Sequence, residues 1–187
     1  ALPIFGYRVY LGKWYLGRGA FVQAQGALEW CAEQVMAVSV SVKDDGGVFR
    51  RNLDRIMELL VPLRLAINSQ WPTSNKHQPL LRALWQGNLP KYSQLLHDSS
   101  ASLHRQGTFI LYQRLKLLCL RQLLKHLQAG LESTRLPLSL VARFGGEDSL
   151  VVELIGGGAV RGYVSEKHGI LVLSSQTAFP SNVSLIK

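Results

Sequence analysis

Apolar residues crowd the stretch from Gly107 to Gly130, GTFILYQRLKLLCLRQLLKHLQAG, at a helical period, and the spacing predicts one long helix over about 107–129, closed by Gly130 in the left-handed conformation. At 100° per residue, Arg114, Arg121 and Lys125 fall within about 40° of one another with Leu118 inside their stripe, a narrow basic ridge. Leucines and aromatics fill the rest of the circumference, so this helix should be central and packed on several sides. Lys116, and Arg64 on an earlier helix, lie on the wrong side for a solvated face. Each should pair with a carboxylate, reach an edge, or touch a partner.

Other elements follow from the same reading. Phe21, Ala24, Leu28, Cys31, Ala32 and Val35 mark a helix over about 20–37. The β-branched alternation of Val38–Val42 leaves helix and strand both open. KDDGG at 43–47 is a turn, and an amphipathic helix follows over about 48–69, with Pro62 expected to kink it. SQWPTSNKHQP at 69–79 reads as a linker, with short helices over about 79–86 and 90–98 beyond it. Large side chains around Gly12 and Lys13 predict an N-terminal β-hairpin at about 7–16. After residue 131 the period changes: LPLSLVARF, SLVVELI, GAVRGYVS and GILVLSSQ read as four strands of an antiparallel meander.

The expected fold class is therefore α+β. A bundle of about four to five helices packs with a C-terminal antiparallel β-meander, extended by the N-terminal hairpin. All 187 residues form one domain, with sub-regions 1–18 (hairpin), 19–131 (bundle) and 136–187 (sheet).

Composition changes this picture in one respect. With 47% hydrophobic and 18% charged residues and a mean hydropathy of +0.09, the chain carries more apolar surface than an isolated globule of this size ordinarily hides. Twenty-one Lys and Arg oppose twelve Asp and Glu, giving +9, which favours polyanions, anionic membranes or an acidic protein. The opening residues lack the charged and continuous apolar regions of a secretory leader. No run reaches the roughly 18 apolar residues of a spanning helix. Two isolated cysteines build no disulfide framework and fit a reducing, intracellular setting for a soluble protein, nuclear or cytoplasmic.

Signals for chemistry are weak. Asp44–Asp45 and Glu147–Asp148 sit in glycine turns, the five histidines are scattered, and no metal-ligand spacing is present. Cys31 and Cys119 lie on apolar helical faces, where a buried thiol is inert. GGGAVRG at 156–162 lacks the lysine of a phosphate loop. The reading is thus a non-enzymatic adaptor or structural subunit without metal or cofactor, joining another protein subunit with an acidic or apolar surface. Arg114, Arg121 and Lys125 would supply polar rim contacts, with Leu118, Tyr10 and Trp14 as anchors. The alternative is an accessory nucleic-acid binder using Arg8, Lys13, Tyr15 and Arg18, whose aromatics would stack bases from a strand surface.

Overall fold

The computed structural model describes residues 2–41, 47–68 and 79–181. The KDD of the expected turn and residues 69–78 of the expected linker lie outside the described residues, as does Val42. The chain organises as two compact units, residues Ala1–Trp71 with Ser100–Tyr112, and Pro72–Ser99 with Gln113–Lys187.

The first unit contains helices α1 (Leu2–Gly17), α2 (Phe21–Ser41) and α3 (Val48–Asn68). A short α6 (Ser100–Gln106) follows later in the chain, as does the first turn of α7 (Phe109–Leu131). Gly19, at φ +73°, makes the reversal between α1 and α2, which pack along one another, and α3 packs on α2. Ala24, Leu28, Cys31 and Ala32 fill the α2 seam at the expected helical spacing. From Leu59 onward α3 is buried nearly all round, with Leu60, Leu63, Leu65 and Ala66 fully enclosed, and the helix runs through Pro62. Arg64, misplaced for a solvated face, reaches the Glu29 carboxylate of α2 at 3.1 Å, which also accepts from Gln25 at 2.9 Å.

The second unit holds α4 (Pro79–Trp85), α5 (Leu89–Asp98), the remainder of α7, β1 (Arg135–Pro137), α8 (Leu138–Arg143), α9 (Asp148–Gly156), β2 (Gly162–Ser165) and β3 (Ile170–Leu173). Asn88 caps α5 by accepting from the Lys91 backbone N–H, and Pro90 sits in the first turn, where its missing donor costs nothing. Leu115, Leu118, Leu120 and Leu124 of α7 are completely enclosed, which makes α7 the core of this unit. Gly87 (φ +65°) lies so close to α7 that a Cβ there would stand 2.6 Å from the Leu123 backbone nitrogen. Only glycine satisfies both conditions.

Several expectations are corrected. The N-terminal hairpin is a helix: Gly12 lies mid-α1, where a Cβ would meet the Leu28 side chain at 2.7 Å. It is a close crossing of two helices rather than a turn. The stretch from Val38, left open between helix and strand, is helical as far as Ser41. Of the four expected strands, LPLSLVARF supplies only β1 before turning into α8, and SLVVELI is α9, with Val151 and Leu154 buried three residues apart and Val152 exposed. Tertiary burial at helical spacing overrides the β-branched propensity there. What remains is a three-stranded antiparallel sheet of order β1-β3-β2, with Leu136 opposite Leu171 and Val164 opposite Leu171 on the other edge. The α+β bundle with a meander is thus replaced by a predominantly helical chain of nine α-helices among the described residues. Gly130 stays helical, and the left-handed residue closing α7 is Glu132 at φ +48°.

Candidate docking surface

Helix α1 is apolar on two sides. Phe5, Val9, Gly12 and Leu16 lie within about 60° of one another, with Gly12 and Leu16 buried in the α1–α2 seam. On the far side Ile4, Tyr7, Tyr10 and Trp14 span about 120° and stand exposed, Tyr7 by 62% and Tyr10 by 66%. Leu11 lies within the same arc, half-buried. The stripe extends about three helical turns. Exposed apolar residues are ordinary when scattered, but a contiguous aromatic stripe is the pattern of an interaction surface.

The charged residues that α1 and its C-terminal turn place beside the stripe have one sign. On the helical projection Arg8 borders the stripe beside Ile4, and Lys13 borders it beside Tyr10. Arg18 lies 4.0 Å from the centre of the Trp14 ring, and Arg8 lies 4.9 Å from that of Trp30 on α2. Trp14 also meets Tyr15 edge-on, with centroids 5.3 Å apart. The guanidinium–ring contacts hold two rings in place and leave the cations without a carboxylate partner among the described residues.

The six residues expected to face a partner are divided between the two units. Tyr10 and Trp14 are on the exposed stripe. Leu118 is fully buried in the second unit. Arg121 is 3% exposed, donating from Nε to the Ala159 carbonyl at 2.9 Å and from a terminal nitrogen to that of Pro180. Burial lowers its pKa, and that of Lys125, where Arg121 adds to the effect. Lys125 lies 5.8 Å from the Phe179 ring, while Arg114 reaches Glu153 at 3.2 Å. Lys116 finds Glu147 at 2.8 Å, and that contact lowers the Glu147 pKa. Of the alternative set, Arg8, Lys13, Tyr15 and Arg18 all lie on or just beyond α1, a helix where a strand platform was expected. Ile4, Tyr7, Tyr10 and Trp14 follow the i, i+3, i+6, i+10 spacing of one helical face, which a strand reading of residues 7–16 does not show.

Other surfaces offer less chemistry. Burial raises both thiols, Cys119 to about 12, which keeps them protonated. Ser165 and the His168 ring nitrogen Nδ1 meet at 3.0 Å across the β2–β3 turn, an exposed local pair three residues apart. Among the described residues no group of three His, Cys, Asp or Glu could hold a metal, and no helix is long and apolar enough to cross a membrane. A shallow cavity of about 640 Å3 in the second unit is lined by Gln128, Arg161 and the 174–181 segment. Its one cationic group, Arg161, donates to the Thr177 hydroxyl at 2.7 Å. Helices α8 and α9, joined through Gly145 and Gly146, have helix-turn-helix connectivity, yet α9 carries Asp148 and Glu153 where a phosphate-reading helix carries base.

No family model matches the chain. It is similar to a protein named CSN12 homolog from Schizosaccharomyces pombe, 30% identical over 198 aligned positions that cover 94% of this chain and 45% of the relative. A PCI domain-containing protein 2 homolog from Drosophila melanogaster is 27% identical, covering 90% of this chain and 46% of its own length. A CSN12 homolog from Mycosarcoma maydis is 29% identical over 70% of this chain and 36% of its own. The chain thus spans under half the length of these curated relatives, none of which is named for a reaction.

Proposed function

We propose that this chain is a non-enzymatic subunit of a larger protein assembly, inside the cell, and that the outward face of α1 is one of its docking surfaces. The observation that carries the reading is the stripe of Ile4, Tyr7, Tyr10 and Trp14, left open on a helix whose opposite side is already packed. Aromatic side chains in that setting are typical anchors, since their rings bury large area at little cost in side-chain freedom. Similarity to the CSN12 and PCI domain-containing proteins supports the reading, because their names denote no activity. So does the protonated, buried state of both thiols, which removes the two strongest nucleophiles from play.

Sedimentation of the native assembly tests it. The wild-type chain should travel with a mass well above its own 20.8 kDa and retain it at raised salt, since the anchors are apolar. Tyr7→Ser with Tyr10→Ser should release the folded chain. A chain that sediments alone in both forms contradicts the proposal.

A further inference from the structure

We infer that the exposed face of α1 receives an amphipathic helix of a partner protein whose apolar seam is bordered by Asp or Glu. The inference rests on the docking reading and names the chemistry of what docks. Three features of the face specify it.

Shape comes first. The stripe is about three turns long and one side chain to two wide, the dimensions of a single helix laid alongside another. Charge comes second. Arg8 and Lys13 flank the stripe on opposite sides, Arg18 closes its end, and residues 1–28 contain no Asp or Glu at all. The three cations form no ion pair with a carboxylate among the described residues. An incoming helix with carboxylates at both margins of its seam would supply the missing partners at the rim, where such pairs govern orientation and choice of partner more than affinity. The rings come third. Trp14 lies under the Arg18 guanidinium and meets Tyr15 in a T-shaped pair, so it is already held for packing rather than free to stack on a base.

The same features disfavour the competing occupants. A second copy pairing through the same face would bring the same three cations and, from residues 1–28, no carboxylate to answer them, which works as a specificity filter against self-pairing. A nucleic acid would meet three cations where phosphate tracking recruits several more. An anionic bilayer would need the apolar side of α1 to insert while α2 packs on its back, with two Tyr hydroxyls in the inserted layer.

The experiment uses the whole chain and four probes. Two are synthetic helices of about five turns with the same Leu seam, one with Glu and one with Lys at the flanking positions. A uridine oligonucleotide and phosphatidylcholine–phosphatidylserine vesicles are the others. The Glu-flanked helix should bind about tenfold tighter than the Lys-flanked one, the size of a few rim pairs acting together. Arg8→Gln with Lys13→Gln should remove most of that preference, Arg18 keeping the remainder, while leaving the residual affinity, and Tyr7→Ser with Tyr10→Ser should abolish binding of both helices. Far-ultraviolet circular dichroism should be unchanged throughout, because each of these side chains is exposed. Equal binding of the two helices, or binding to the oligonucleotide, the vesicles or a second copy in their place, overturns the inference. Release of the Tyr7→Ser/Tyr10→Ser chain from its native assembly together with equal binding of the two helices would sink the acidic border alone. Retention in that assembly would sink the docking surface itself.

Discussion

Replacing Arg121 with methionine tests the tightest polar arrangement in the second unit. The guanidinium is almost entirely enclosed and bonds two main-chain carbonyls, those of Ala159 and Pro180, so it ties α7 to the end of α9 and to the segment after β3. Hydrogen bonds involving a charged group contribute about 1.5–3 kcal/mol each, and the Phe179 ring 5.7 Å away adds about 0.5 kcal/mol more. Against this stands the cost of enclosing a cation with no carboxylate, visible in its lowered pKa, which methionine would relieve. Two carbonyls left without their donor outweigh that relief, so Arg121→Met should lose about 2–4 kcal/mol. Arg121→Lys should recover only part, since one ammonium on a flexible stem does not reproduce a planar fork. Urea unfolding gives the global value, and the labelling rate of the buried Cys119 thiol reports opening of this unit specifically. A methionine variant as stable as wild type, with Cys119 no more reactive, would refute the reasoning and show that the site behaves like those buried charges that apolar residues replace without loss.

Three further outcomes follow from particular residues. Gly87→Ala should destabilise by about 3 kcal/mol or more, because the left-handed backbone and the Leu123 main chain both oppose a Cβ and neither can move aside; the urea midpoint measures it. Stability should fall as pH climbs from 9 to 12: the Cys119 thiol and the Tyr112 hydroxyl are both held up at about 12, so the native state keeps protons that the unfolded chain gives up first. The thiol contributes roughly 4 kcal/mol across that window, and Cys119→Ala should flatten the decline when unfolding is followed at pH 8 and pH 11. Leu118→Ala, in the sealed centre of α7, should cost about 2–5 kcal/mol in a thermal melt, whereas Tyr10→Ser on the open stripe should cost under about 0.5 kcal/mol.

Much of the helical framework was legible in sequence because long apolar periods leave little choice. The limits of α3, α4, α5 and α7 lie within a few residues of those read from spacing, and the stray cations Lys116 and Arg64 found carboxylates as expected. The N-terminus misled because α1 is apolar on both sides, which erases the one-sided stripe that marks a surface helix and lets YRVYLGKWY pass as alternation. The sheet was overcounted for a related reason: short Val- and Leu-rich runs such as SLVVELI fit strand or buried helix equally until their neighbours are known. Arg114, Arg121 and Lys125 share one side of α7 by their spacing, but periodicity says nothing of what covers that side. Phe179 and Pro180 reach Arg121 from 58 and 59 residues farther along the chain, contacts that no local pattern encodes.

The claim that α1 keeps an open face for a partner is tested most directly by hydroxyl-radical footprinting of the chain alone and in its native assembly. Tyr163, 62% exposed in the other unit and outside the stripe, serves as the internal reference. Tyr7, Tyr10 and Trp14 should oxidise readily in the isolated chain and become strongly protected in the assembly relative to Tyr163. Oxidation of Tyr7 and Tyr10 at an undiminished rate in the assembly would contradict the account.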